Sequence, residues 1–89
     1  MCRNIKNLYN FEPPVTDEEV RAAALQYVRK ISGFHQPSKA NEAAFLAAID
    51  AVAAASRNLL NSLETSAPPR NREQEAAKVR ARASRRFPA

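Results

Sequence analysis

The sequence predicts an all-α protein: an antiparallel two-helix hairpin with an ordered N-terminal arm and a third, basic C-terminal helix. Three observations support this fold class. The 89 residues include one glycine, and β-branched residues do not alternate with polar ones. A capping box marks the start of one helix, and a heptad pattern of apolar residues marks a second. We therefore expect no sheet, and a chain this short forms one domain at most.

The first sixteen residues are predicted to form an irregular arm. Asparagines are interspersed with apolar residues there, and the consecutive prolines Pro13 and Pro14 follow. The apolar side chains of the arm are Ile5, Leu8, Tyr9 and Phe11. We expect them to pack onto the helices, so that the arm is ordered.

The first helix is predicted over residues 17–32. Thr16 and Glu19 have the spacing of a capping box, in which each side chain binds the other residue's backbone N–H. Gly33 follows the last turn, where a left-handed residue commonly ends a helix. One apolar stripe of the helix holds Val20, Ala24, Tyr27, Val28 and Ile31. This stripe is expected to face the second helix.

The second helix is predicted over residues 39–63. Pro37 with Ser38 offers one helix start, and Asn41 is a rival N-cap nearly a turn later. A heptad seam then runs through Phe45, Ile49, Val52, Ser56, Leu59 and Leu63. Because the connector after Gly33 is short, we expect the two helices to be antiparallel neighbours.

A second stripe of the same helix consists of small residues. It holds Ala40, Ala44, Ala47, Ala51, Ala54 and Ala55, nearly opposite Phe45 at 100° per residue. Alanine is a strong helix former and suits a solvated face, which is one interpretation. The other is a homodimer in which Ala44, Ala47, Ala51 and Ala54 let a partner helix approach closely. A dimer would also enlarge a small core.

The composition changes after residue 66, so we divide the chain into a body of residues 1–66 and a basic helix or tail of residues 67–89. Pro68 and Pro69 lie at the boundary, and Asn71 with Gln74 could cap a third helix. Its apolar content is small. We expect this helix to dock onto the body through Val79 and Phe87, and to fray without that contact.

The net charge of +5 lies in the C-terminal segment. The body has seven Lys or Arg against seven Asp or Glu, whereas residues 67–89 have seven against two. The seven basic residues are Arg70, Arg72, Lys78, Arg80, Arg82, Arg85 and Arg86. Arginine binds phosphate in bidentate fashion and stacks on bases, so this segment predicts contact with RNA or the ribosome. The alternative is a solvated charged face with pairs within the helix.

Few residues are suited to chemistry. Cys2 is the single cysteine and His35 the single histidine, so a metal or redox role of Cys2 is a minor hypothesis. We expect no enzyme activity, no cofactor and no small-molecule substrate. The opening residues lack a signal peptide's apolar run, and no stretch is expected to reach the roughly 20 apolar residues of a membrane span. These features predict a cytoplasmic protein without membrane contact.

Several runs together resemble a bacterial family of uncharacterised proteins, the domain of unknown function 2277. They are Met1 to Lys6, Asn10 to Pro14, Ala22 to Lys30 with Ser32 and Gly33, Pro37 to Phe45, and Ala67 to Arg70. The resemblance covers nearly the whole chain. It implies a bacterial cytosolic protein that is one family unit, with Cys2 inside the family pattern, and it implies no activity, cofactor, partner or site residue.

Overall fold

The computed structural model describes residues 5–86 and, among them, the side chains of residues 5–82. In chain order the elements are β1 (Phe11–Glu12), α1 (Asp17–Ser32), a 3₁₀ turn (Lys39–Asn41), α2 (Glu42–Ser62), β2 (Arg70–Asn71) and α3 (Arg72–Arg86). The fold is mostly helical, as predicted. The three predicted helices are present close to their expected bounds.

A capping box sets the start of helix α1, and a left-handed glycine sets its end. The Glu19 backbone N–H donates to the Thr16 hydroxyl at 3.2 Å, and the Thr16 N–H donates to the Glu19 carboxylate at 3.0 Å. At the other end Gly33 has φ 76°, and its N–H donates to the Arg29 carbonyl at 2.9 Å. Both predicted caps are confirmed, and they set the length of α1.

Helix α2 begins at the later of the two predicted starts. The residues after Ser38 form the 3₁₀ turn, and Asn41 is the N-cap of α2. The Asn41 side chain does not cap the helix; it donates to the Ser38 hydroxyl at 2.9 Å. The helix ends at Ser62, and the C-cap residue Leu63 has an extended backbone.

The core lies between α1 and α2. Its buried side chains are Val20, Ala24, Val28, Phe45 and Ile49. Other predicted members of the two stripes are exposed: Tyr27, Ile31 (66%), Leu59 and Leu63. The two predicted stripes are therefore buried only in part. Ile31, Leu59 and Leu63 lie near the ends of the helices, whereas Tyr27 lies between the buried residues Ala24 and Val28 in the sequence.

Two short strands correct the expectation of no sheet. β1 and β2 pair in parallel, with Phe11 opposite Arg70 and Glu12 opposite Asn71. A parallel pair needs a long crossover connection, and here the crossover contains α1 and α2. The pair joins the N-terminal arm to the start of the C-terminal segment, so it crosses the predicted boundary between residues 66 and 67.

Helix α3 extends away from the helix pair. Its N-terminus is capped as predicted, with the Gln74 N–H donating to the Asn71 side chain at 2.9 Å. Val79, however, is 58% exposed, so the predicted docking through Val79 is wrong. Phe87 lies outside the described residues. The radius of gyration is 15.9 Å, against about 12 Å for a compact chain of this length, which agrees with an extended helix.

The segment Lys39–Ser62, which contains α2, is long and apolar enough to cross a membrane by length and composition. The prediction that no stretch approaches this composition is therefore wrong, because the many alanines keep the mean hydropathy high although the helix also contains Asp50 and Arg57. Core helices of soluble proteins can have the same length and composition. In the structure, one face of α2 packs on α1 through Phe45 and Ile49, and Asp50 forms an ion pair with Arg21.

Candidate nucleic-acid interface

The predicted basic residues lie in two groups. Arg70 and Arg72 stand at the junction of β2 and α3, next to the arm, whereas Lys78, Arg80 and Arg82 lie further along α3. Arg85 and Arg86 are also within α3, but their side chains are outside the described part of the chain. The two groups have different surroundings, which decide what each arginine can bind.

Arg72 is bound to the arm and to α1. Its Nε donates to the Pro13 carbonyl at 2.8 Å, and its Nη2 donates to the Glu19 carboxylate at 2.5 Å. The side chain is one third exposed. We call Arg72, Pro13 and Glu19 the Arg72 clamp. It joins the start of α3 to the arm and to the first turn of α1. The guanidinium of Arg72 therefore has a structural role.

Glu19 has two partners, Arg72 in the clamp and Thr16 in the capping box. The Arg72 side-chain hydrogen bond lowers the pKa of Glu19 most, followed by the hydrogen bond from the Thr16 backbone. Both partners favour the ionised carboxylate. A carboxylate in the first turn of a helix also interacts favourably with the helix dipole. The same residue thus caps α1 and anchors α3.

Asn10 supports the junction from the arm. Its carbonyl accepts from the Arg70 N–H at 2.7 Å. Its side-chain amide donates to the carbonyls of Ala67 and Pro68 at 3.3 and 3.2 Å. Asn10 has φ 62°, a left-handed conformation that asparagine tolerates better than most residues. The sequence interpretation treated Asn10 as one of several arm asparagines and missed this role.

Arg70, Arg80 and Arg82 are exposed and make no ion pair with any side chain that the structure describes. The Arg70 guanidinium lies over the Phe11 ring, 5.8 Å from its centroid. Lys78 is 3.5 Å from the Glu75 carboxylate on the same helix, a long and exposed contact. Exposed pairs of this kind contribute little free energy, so Lys78 can exchange its partner readily.

A groove of about 510 Å³ lies between the arm and α3. Its apolar lining is Leu8, Phe11, Val15, Ala76 and Val79, and its charged lining is Lys6, Glu19, Arg70, Arg72, Glu75 and Arg82. We call it the arm–α3 groove. Sequence reasoning missed Lys6, because 64 positions separate it from Arg70 and only the paired strands bring the two segments together.

The alanine stripe lies on the surface of α2. Ala44, Ala47, Ala51 and Ala54 are all exposed, opposite the face that packs on α1. An exposed alanine face suits solvent as well as a partner helix. The stripe thus lies on the exposed side of α2.

The remaining candidate residues do not come together. Cys2 lies outside the described residues. His35 is an exposed connector residue whose carbonyl accepts from the Arg29 Nε at 2.9 Å. It lines a second, more open groove of about 630 Å³ beside Leu25 and Leu46. Within residues 5–86, no three His, Cys, Asp or Glu side chains are grouped as metal ligands would be.

Comparison with known proteins places the chain by family alone. No curated protein and no solved structure matches it. Residues 1–78 match the family described as "Uncharacterized conserved protein (DUF2277)". This match covers most of the chain, including the arm, the helix pair and the first half of α3. The chain therefore belongs to the family of the domain of unknown function 2277.

Proposed function

We propose that this protein is a non-catalytic module that binds RNA, free or in the ribosome, in the cytoplasm of a bacterium. The observation that carries the proposal is a set of cations without carboxylate partners among the described side chains: Arg70, Arg80 and Arg82. Such cations attract phosphate and release counterions when they bind it. Arg85 and Arg86, which the sequence analysis also predicted as contact residues, follow on the same helix.

Arg72 is left out of the contact set, although the sequence analysis included it. Its donors are used by Pro13 and Glu19, and binding a phosphate would require breaking the Arg72 clamp. Lys6 joins the set, because it lines the same groove as Arg70 and Arg82. The proposed surface thus comprises both the arm and the basic helix.

The experiment is a fluorescence anisotropy titration of labelled RNA at several salt concentrations. The test variant is Arg80→Gln/Arg82→Gln. We expect weaker binding and a salt dependence whose slope falls by about 1.4, since each phosphate contact to a single strand contributes about 0.7. Wild-type protein that binds no RNA at low salt would refute the proposal.

The matched control is Lys30→Gln/Lys39→Gln. It removes the same charge from two exposed body residues that make no ion pair among the described side chains. We expect its affinity and salt slope to stay near the wild-type values. Equal losses in both variants would show that net charge, rather than the surface beside α3, governs binding.

A second candidate function is that of a structural or adaptor protein that forms homodimers through the alanine stripe. The exposure of Ala47 and Ala51 favours it. Sedimentation velocity should show a dimer for the wild type and a monomer for Ala47→Glu/Ala51→Glu. The control Ala77→Glu/Ala81→Glu has the same spacing and charge on exposed positions of α3. A wild type that is monomeric at high concentration ends this candidate.

We also propose that α1 and α2 are antiparallel, as the sequence analysis predicts. Arg57 binds Asp17 at 2.7 Å, and Arg21 binds Asp50 at 2.5 Å. The earlier residue of α1 thus pairs with the later residue of α2, which supports the antiparallel order. Paramagnetic labels at positions 17 and 57 should lie close together, and labels at 17 and 42 should lie far apart.

A further inference from the structure

The arm–α3 groove contains carboxylates, but its charge is positive. Glu19 is bound by Arg72, and Glu75 lies near Lys78. The cations left in the lining are Lys6, Arg70 and Arg82, none of which pairs with a carboxylate in the described part of the chain. An anionic group entering the groove would therefore meet cations whose charge is not already neutralised.

Part of the lining of the groove is apolar and includes the aromatic ring of Phe11. Phe11 is half-buried, and the guanidinium of Arg70 lies over its ring. Leu8 and Val15 are further apolar residues of the lining. Aromatic rings and arginine planes are the two surfaces on which proteins stack unpaired bases. The groove thus combines an aromatic surface for stacking with cations in its lining.

We propose that the arm–α3 groove binds one unpaired nucleotide of a single-stranded RNA, with its base against Phe11 and Arg70 and its phosphates near Lys6 and Arg82. This inference rests on the proposed RNA-binding function and specifies the form of RNA. The bases of a duplex are stacked and paired, so they cannot enter a groove of this kind. The volume of about 510 Å³ lies within the usual range of ligand sites.

The first test compares two phenylalanines. Phe11→Leu keeps an apolar side chain in the groove but removes the stacking surface. Phe34→Leu makes the same change at an exposed connector residue. We expect Phe11→Leu to weaken single-stranded RNA binding about fivefold or more, and to leave duplex binding and the salt slope unchanged. Phe34→Leu should bind like the wild type.

The second test needs no variant and so does not depend on how Phe11→Leu folds. Ultraviolet cross-linking of wild-type protein to single-stranded RNA, read by mass spectrometry, should give an adduct at Phe11. Adducts confined to α3 would overturn the groove assignment. Adenosine monophosphate should not displace the strand at equal nucleotide concentration; if it does, the groove is a site for free nucleotides and the inference is wrong.

The outcomes separate the two proposals. If both phenylalanine variants bind like the wild type while Arg80→Gln/Arg82→Gln binds weakly, the groove inference fails and the RNA-binding function stands. If the wild type binds no RNA of any form, both fail. A fivefold loss confined to Phe11→Leu and to single strands, together with the Phe11 adduct, supports both.

Discussion

In the helix pair, Arg21 and Arg57 each bind an aspartate of the neighbouring helix, whereas Arg80 and Arg82 of α3 meet no carboxylate among the described side chains. The two regions also differ in packing. The five apolar residues that are buried in the described part of the chain all lie in the helix pair, and every residue of α3 from Ala76 to Arg82 is exposed. One region therefore buries and pairs its residues, whereas the other leaves its described side chains exposed to solvent.

The junction between the two regions shows how the division arises. Arg72 belongs to the basic segment by sequence, yet the Arg72 clamp makes it part of the body. Arg70 is two residues away and remains exposed over Phe11. The surroundings of each arginine, and not the local density of charge, therefore decide its role.

The core of the helix pair should be the most sensitive place in the molecule. Ile49→Ala should lower the free energy of unfolding by about 3 kcal/mol, because it leaves a cavity in a core of few residues. Leu59→Ala, on the same face but 57% exposed, should cost less than about 1 kcal/mol. Urea denaturation followed by circular dichroism measures both. Equal losses of unfolding free energy in the two variants would contradict the finding that Ile49 is in the core and Leu59 is outside it.

Loss of the Arg72 clamp should have the second largest effect on stability. Arg72→Ala should lower the local stability of the junction by about 1–2 kcal/mol, because it removes hydrogen bonds of a charged donor. Amide hydrogen exchange at Arg70 should then be about 5- to 30-fold faster. Arg80→Ala is the matched control and should leave this exchange rate unchanged. If both variants behave alike, Arg72 is not an anchor.

Acid should weaken the clamp. The folded-state pKa of Glu19 is lowered from 4.5, so its ionised form contributes stability above that pH. The contribution is lost as the pH falls through the lower folded-state value. Glu19→Gln should be less stable than the wild type near neutral pH, and the difference should shrink in acid below pH 4.5. The control Glu18→Gln, at an exposed neighbour, should not reproduce this convergence.

The exposed ion pair of the helix pair should contribute least. Arg21 and Asp50 are 51% and 66% exposed, so solvent screens their attraction. A double-mutant cycle of Arg21→Ala and Asp50→Ala should give a coupling energy of about 0.5 kcal/mol or less. A coupling above about 1 kcal/mol would mean that surface charges stabilise the helix pair more than its exposure allows.

The sequence predicted the helices because their signals are local. The capping box of Thr16 and Glu19, the left-handed Gly33 and the Asn71 cap each act within a few residues. The heptad pattern identified the face of α2 that packs on α1. The pattern could not show which residues of that face are buried, because the exposure of Leu59 or Ile31 depends on how far the two helices overlap.

The strand pair and the clamp escaped prediction because their contacts are distant in sequence. Asn10 binds residues 57 and 58 positions away, and Arg72 binds Glu19 across 53 positions. Two-residue strands have no alternation that a sequence pattern could reveal. The basic segment was visible as charge, but the separate role of Arg72 and the addition of Lys6 needed the three-dimensional arrangement.

The most direct test of the division is a titration of the protein with single-stranded RNA, observed through the arginine Nε–Hε signals by nuclear magnetic resonance at mildly acidic pH and low temperature. The signals of Arg70, Arg80 and Arg82 should shift as RNA is added, and those of Arg21, Arg57 and Arg72 should stay in place. Shifts of equal size in both sets, or a shift of Arg72 that precedes the others, would contradict the account.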